Sequence, residues 1–329
     1  MHFSIEMAKQ RTRKTHSTQP LDLTRTKTYS IKERENLSSI DLFAKPVLPE
    51  DGMNAFFESF PEILASANLR KLIDAVARAY QNKRPVVMAI GAHLVKCGLS
   101  PLIIDLMKRK IVTALAMNGA TAIHDYEVSL IGATSEDVAA SLKDGSFGMV
   151  EETAKAFQIA SAKGAVEGIG LGRAVGERII EEENPYQELS LLVWGTKLNI
   201  PTTVHVAFGT DTIYMHPNIS GRDMGESSHI DFKIIASVVS DLEEGVWLNI
   251  GSAVIMPEVF LKALCVARNV GNNIENFVTA NMDMIQHYRP QTNVLKRPTQ
   301  FGYAITGHHE IMLPLLRMGI LAKLGRGND

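Results

Sequence analysis

Short apolar segments alternate with helix-like segments along most of this chain. Residues 85–91, 111–117 and 246–250 are such segments, and a glycine closes or closely follows each of them. Apolar strands that lack a polar face are typical of a parallel sheet buried on both sides. Repeated strand–helix alternation therefore predicts a doubly wound α/β fold, with a mostly parallel sheet and helices on both faces.

The composition indicates an ordinary soluble protein. The chain has 329 residues, of which 45% are hydrophobic and 21% charged, and a net charge of -2 gives no reason to expect a nucleic acid partner. No run of about 18 apolar residues is present, so we expect no membrane partner. Cys97 and Cys265 form no C-x-x-C pair. Two isolated cysteines favour a reducing compartment, and we expect a cytoplasmic protein.

The first 38 residues differ from the rest. They hold eight Lys or Arg against four Asp or Glu and show little hydrophobic periodicity. We interpret residues 1–38 as a basic N-terminal arm that is either disordered or packed on a neighbouring subunit. Residues 39–329 form the predicted α/β domain.

Small and polar residues gather where the predicted strands end. In a parallel α/β sheet, ligands bind at the carboxyl ends of the strands. Glycines there allow backbone N–H groups to approach a phosphate, and acidic groups accept hydrogen bonds from ribose, although glycines also simply make βα turns. The predicted cofactor-binding residues are Gly91, Ala92, His93, Asn118, Gly119, Ala120, Asp211, Gly251, Ser252, Thr279 and Ala280.

A second glycine motif, Gly170-Leu-Gly-Arg-Ala-Val-Gly176, is close to a dinucleotide fingerprint. No clear strand precedes it, and helical sequence surrounds it. A phosphate-binding motif requires a preceding strand. Tight packing or a loop between helices is the favoured interpretation.

Ten histidines raise the question of a metal, but the chain has no H-x-x-x-H, H-E-x-x-H or Cys/His spacing. We therefore predict no metal site. His124 and His308 are candidates for general acid or base catalysis. The alternative for each is a structural histidine that only makes hydrogen bonds.

Lys296 is the candidate nucleophile. A lysine attacks only when its amine is neutral, a state that burial or a neighbouring cation such as Arg297 favours. The alternative is a solvated basic loop, Leu-Lys-Arg-Pro.

From about residue 70 to 318, the order of elements resembles the deoxyhypusine synthase family. Arg289-Pro290 corresponds to the family's Arg-Pro, Asp211 to the Asp of its Thr-Asp-Gly turn, and residues 313–316 to its final Phe-Pro-Leu-Leu. Gly251-Ser252-Ala253 falls on its triple glycine. The resemblance implies a transferase that uses NAD to move an aminobutyl group from a polyamine such as spermidine through a lysine imine, within a homotetramer.

The chain departs from that family at several catalytic positions. Met256-Pro257 replaces a Lys-His pair, His124 replaces a Glu, and Lys296 lies two residues closer to Arg-Pro than the family's lysine. The resemblance nevertheless implies that Asp283 and Arg289 bind the substrate. It predicts a related enzyme that retains NAD and transfers an aminoalkyl group from a different amine.

Two other functions remain open from the sequence. One is a histidine-based hydrolase or lyase on the same fold, without NAD. The other is a non-catalytic protein that binds a nucleotide or a polyamine.

Overall fold

Six strands form a central sheet in residues 41–329, in a computed structural model that describes residues 19–325. The strands are β1 (Val86–Ile90), β2 (Ala114–Asn118), β3 (Thr202–His205), β4 (Val246–Ile250), β5 (Val278–Asp283) and β6 (Gly302–Thr306). Their order is β3-β2-β1-β4-β5-β6, and every neighbouring pair is parallel. The predicted α/β fold is confirmed.

Thirteen helices surround this sheet among the described residues. They are α1 (Gly52–Glu58), α2 (Leu64–Gln81), α3 (His93–Lys96), α4 (Ser100–Lys108), α5 (Gly119–Ile131), α6 (Val138–Ser141), α7 (Glu151–Glu167), α8 (Leu171–Glu181), α9 (Leu191–Leu198), α10 (Gly221–Ser240), α11 (Ile255–Asn269), α12 (Tyr288–Pro290) and α13 (His309–Leu324). A π-helical turn, Gln291–Lys296, continues α12. No helix of residues 19–325 has the length and apolarity needed to span a membrane.

Local sequence sets the ends of these helices. The Asn118 side chain accepts a hydrogen bond from the Thr121 N–H and caps α5, and Gly132 ends that helix with φ 70°. Ser190 caps α9 in the same way. These are the residue types that satisfy the unpaired backbone groups at helix ends.

Both faces of the sheet are buried, as the apolar strands predict. Alternate residues of each strand point to opposite faces. One face, with Met88 and Leu248, packs on a core that includes α2, α4, α8 and α13. The other face carries Trp247, which stacks on Phe260 of α11 with ring centroids 4.3 Å apart. Two covered faces leave only the strand ends open to a ligand.

Side chains of α10 accept hydrogen bonds from the backbone N–H groups along the outer edge of β3. Asp231 of α10 accepts a hydrogen bond from the Val204 N–H at 2.8 Å, and Ser228 accepts one from the Val206 N–H at 3.2 Å. An unpaired edge would offer its backbone groups to another chain. Helix α10 closes this edge instead.

The second glycine motif mediates close packing. A Cβ on Gly172 would lie 1.9 Å from the Thr202 carbonyl oxygen, so only glycine lets α8 approach β3 this closely. The Gly172 N–H donates to Asp231 at 2.9 Å. The packing interpretation of this motif is confirmed.

Residues 1–40 form a separate unit, of which 19–40 are described. Two 3-10 turns, Leu23–Arg25 and Ile31–Glu33, occur in it, and all of its described side chains are exposed. Part of the predicted basic arm, residues 1–18, lies outside the described residues.

Candidate active site

The strand order reverses between β1 and β4, and their carboxyl ends form the centre of the site. Ala89 pairs with Asn249 and Ile90 with Ile250, so Gly91 and Gly251 follow side by side. A Cβ on Gly91 would lie 1.9 Å from the Gly251 carbonyl oxygen. Gly251 itself has φ 68°, a conformation that favours glycine. Both glycines are therefore required by the close approach of the two strand ends.

A buried histidine, His309, lies beside this glycine pair. Its side chain is 2% exposed, and its Nε2 lies 3.9 Å from Asp283 Oδ1 at the end of β5. Its ring centroid is 5.9 Å from that of His93. Burial lowers the pKa of His309, and the neighbouring Asp283 only partly opposes that effect. His309 Nδ1 is buried and has no hydrogen-bond partner among the described residues.

A ladder of buried amides supports the turn after β4. Asn249 Nδ2 donates to the Ser252 carbonyl oxygen at 2.9 Å and to Asn281 Oδ1 at 2.6 Å. Asn281 Nδ2 in turn donates to Gln286 Oε1 at 2.8 Å. The ladder fixes residues 251–252 relative to the loop after β5. The sequence signal was an asparagine inside each of two strands, β4 and β5.

A cleft of about 590 Å³ lies along α5, near the carboxyl ends of β2 and β3. Apolar side chains form much of its wall: Ile123, Leu130, Ile131, Val138, Phe147, Val150 and Ile213. Among residues 19–325, four carboxylates, Glu127, Glu136, Glu152 and Asp211, also line it, against a single lysine, Lys96. Short helix α3 runs from His93 at the glycine pair to Lys96 at this cleft, so the two regions are neighbours. An apolar wall with excess negative charge suits a cation that carries a hydrocarbon chain.

Within the cleft, His124 belongs to a hydrogen-bonded group. Its Nδ1 lies 2.6 Å from Thr134 Oγ1, and Thr134 Oγ1 donates to Glu127 Oε2. His124 and Glu127 are one turn apart on α5, and the turn at Gly132 returns the chain so that Thr134 reaches both. Hydrogen bonds from His124 and Thr134 outweigh burial and lower the pKa of Glu127.

Asp211 lies at the floor of the cleft, against the start of α5. Its Oδ2 accepts a hydrogen bond from the Ala207 N–H at 3.0 Å, and the Ala120 N–H also donates to it. A Cβ on Gly119 would lie 2.2 Å from this oxygen. Burial raises the pKa of Asp211. Asp211 therefore holds the β3 loop onto the N-terminus of α5.

The structure brings most of the predicted site residues to one edge of the sheet. Gly91, Ala92, His93, Gly251, Ser252 and Asp283 surround the strand reversal, and Asn118, Gly119, Ala120, His124 and Asp211 lie at or beside the cleft. Of the two adjacent histidines, His309 is buried at the site, whereas the predicted His308 is 63% exposed. Sequence reasoning missed His309, Glu127 and Thr134.

Thr279 and Ala280 do not lie at a strand end. The sequence places both residues at a predicted strand end, but β5 continues to Asp283. Thr279 is fully buried near the start of β5, and its Oγ1 donates to the Val294 carbonyl oxygen at 2.7 Å. Neither residue therefore faces the carboxyl edge.

Lys296 lies at the amino edge of the sheet, opposite the edge that carries the candidate site. The π-helical turn carries the chain back to the start of β6, where the Leu295 carbonyl packs on Gly302, and Lys296 follows it with an exposed side chain. Arg289 lies on the carboxyl side, where its Nη1 contacts Glu258 Oε1 at 2.8 Å. The guanidinium of Arg289 is thus already paired.

Neither a family model nor a curated protein matches this sequence. Solved structures do match. A putative LOR/SDH protein from Methanococcus maripaludis S2 aligns over 80% of this chain and 71% of its own, at 14% identity and a TM-score of 0.53. AgrE in its ternary complex with ornithine and NAD+ aligns over 80% of this chain at 13% identity, with a TM-score of 0.50.

The chain shares its fold with these proteins. It spans 34% of the AgrE chain, about a third of its length. A putative deoxyhypusine synthase from Entamoeba histolytica also aligns, over 84% of this chain and 96% of its own, at 12% identity and a TM-score of 0.48. At 13% and 14% identity, AgrE and the LOR/SDH protein show a common α/β architecture and no more than that.

Proposed function

We propose that this protein is an NAD-dependent enzyme that acts on a small amine and transfers its aminoalkyl group. One observation carries the proposal: an acidic, apolar-walled cleft adjoins the strand reversal of a doubly wound sheet. The strand reversal is where such sheets bind dinucleotides, and the cleft suits an alkylammonium ion. AgrE, which shares the fold, forms a complex with NAD+ and with ornithine, itself a primary amine.

The residues at the strand reversal fit a dinucleotide in several respects. Helices α11 and α13 both begin at the carboxyl edge, and their N-termini favour phosphate. Nδ1 of His309 is a buried polar atom without a hydrogen-bond partner in the part of the chain that the structure describes. Asp283 offers the carboxylate nearest to that ring. Asn118 at the end of β2 is occupied as a helix cap, so Asp283 is our candidate for the ribose contact.

When bound, NAD would accept a hydride from the carbon that carries the amine. Loss of that hydride and of one ammonium proton would give an imine, and a second amine would displace the first at its carbon. The hydride would then return to that carbon and complete the transfer. The cleft carboxylates would hold the cation, and its hydrocarbon chain would lie against the apolar wall.

The resemblance to deoxyhypusine synthase implies that a lysine holds this imine. Lys296 is exposed at the amino edge of the sheet, whereas the cleft lies at the carboxyl edge. Within one chain, this geometry does not support an imine held by Lys296. We therefore propose direct transfer between two amines.

The test is an assay for reduced nicotinamide. Purified protein is incubated with NAD and, in separate reactions, with spermidine, putrescine or ornithine, and absorbance is followed while mass spectrometry detects the transferred group. Formation of reduced cofactor that depends on one of the amines supports the proposal. Complete absence of reduction and of transfer with all three, in protein that binds NAD, would contradict it.

A further inference from the structure

The hydrogen bonds around Thr134 determine where the proton of His124 resides. Thr134 Oγ1 contacts both His124 Nδ1, at 2.6 Å, and Glu127 Oε2. A threonine hydroxyl has one proton to donate, and an ionised carboxylate only accepts. A glutamate is ordinarily ionised near neutral pH and then only accepts, so the hydroxyl proton is directed to Glu127. The remaining contact requires His124 Nδ1 to donate to Thr134.

This assignment leaves the other ring nitrogen unprotonated. A neutral imidazole carries a proton on one nitrogen only, so a proton on Nδ1 makes Nε2 an acceptor. His124 Nε2 makes no hydrogen bond within residues 19–325, and the ring lines the cleft with 19% of its side chain exposed. Its lone pair is thus available to a group bound in the cleft.

We propose that Glu127 and Thr134 are positioning residues that hold His124 in the Nδ1–H tautomer, and that His124 Nε2 takes a proton from an ammonium group bound in the cleft. The N–H bond of the ammonium breaks, and an Nε2–H bond forms, with no change in oxidation state. The product is a neutral amine beside an imidazolium. This inference rests on the proposed function because it gives the amine a defined proton acceptor.

Carboxylates surround the place where that imidazolium forms. Glu127 Oε2 lies 3.5 Å from His124 Nδ1. Glu136, Glu152 and Asp211 face the same cleft, and Lys96 carries the opposite charge. An imidazolium formed by the proton transfer therefore has opposite charges beside it.

The experiment is ¹⁵N NMR of the histidine side chains in the full-length protein without cofactor. The wild type should show His124 as the Nδ1–H tautomer at a pH where the ring is neutral, with the signal assigned by its loss in His124→Asn. Thr134→Val removes the hydroxyl while keeping the side-chain shape, and it should give a mixture of the two tautomers. Thr134→Ser should restore the wild-type tautomer.

A second variant separates charge from hydrogen bonding. Glu127→Gln retains an oxygen that accepts the Thr134 hydroxyl proton, so the tautomer should persist while turnover falls by roughly tenfold or more. A predominant Nε2–H tautomer in the wild type would overturn the inference, as would an unchanged spectrum in Thr134→Val. Because these spectra need neither NAD nor turnover, failure of the proposed function would leave their outcome unaffected.

Discussion

Gly91 packs directly against Gly251 where the strand order reverses, and a methyl group added to Gly91 would lie 1.9 Å from the Gly251 carbonyl oxygen. No flexible side chain relieves that clash, because the atom met is backbone. The strand ends must separate to admit any other residue.

Gly91→Ala should therefore destabilise the protein by about 2 kcal/mol or more and weaken NAD binding. Urea denaturation and calorimetry measure the two effects. Gly225→Ala is the control, since Gly225 lies inside α10 with its nearest neighbouring atom at 4.0 Å. That substitution should stabilise by roughly 0.5–1 kcal/mol. Equal stability of Gly91→Ala and the wild type would refute the packing argument.

Glu152→Gln should weaken amine binding in the cleft. Glu152 lines the cleft, whereas Glu151, the preceding residue of α7, does not. Loss of one carboxylate near a bound cation should lower the affinity for spermidine roughly three- to tenfold. Titration calorimetry of Glu152→Gln beside Glu151→Gln gives the comparison. The same loss of affinity in both variants would indicate a general charge effect and not a cleft site.

The stability of the protein should depend on the ionisation of Asp231. Burial raises the pKa of Asp231 to about 8 and outweighs the hydrogen bonds from Val204, Gly172 and Leu171. An unfolded aspartate has a pKa of about 4, so the folded state binds this proton more tightly. The stability from Asp231 is therefore fully present below pH ~4 and is lost as the pH rises towards ~8.

Asp231→Asn removes that ionisation. The free energy of unfolding of the wild type should fall relative to this variant between pH ~4 and ~8, as urea denaturation at several pH values would record. Glu226→Gln, exposed on the same helix, is the control and should follow the wild type. Parallel curves for the wild type and Asp231→Asn would show that Asp231 does not carry the effect.

Lys296→Ala should leave NAD binding, amine binding and turnover unchanged. Lys296 is exposed at the amino edge, and the proposed site lies at the carboxyl edge of the same sheet. Calorimetry and the nicotinamide assay give the three quantities. Lost turnover with intact binding would instead support the lysine imine that the family resemblance implies.

The sequence predicted the fold because the strands are continuous apolar runs. Such runs are typical of strands in a sheet that is buried on both faces. The same rule failed for β5. Asn281 and Asp283 are polar, which indicates a strand end at Ala280. In the structure, a buried partner, Asn249, donates a hydrogen bond to the amide oxygen of Asn281. A strand's own residues do not reveal the polar group it will meet across the sheet.

The sequence predicts which edge of the sheet carries the site, but not which side chains contact one another there. Strand ends located the glycine pair and Asp211, because parallel strands bring their carboxyl ends together. Which of His308 and His309 turns inward depends on where α13 begins, and His308 is its N-cap. Thr134 reaches His124 only because Gly132 ends α5 in a left-handed conformation. These relationships depend on tertiary geometry that spacing does not encode.

The proposed function requires a dinucleotide site coupled to an amine cleft. Titration of the purified wild-type protein with NAD by calorimetry, in the absence and then in the presence of saturating spermidine, tests it most directly. We expect NAD to bind, and to bind more tightly when the amine occupies the cleft. No detectable binding at millimolar NAD, with or without spermidine, would contradict the account.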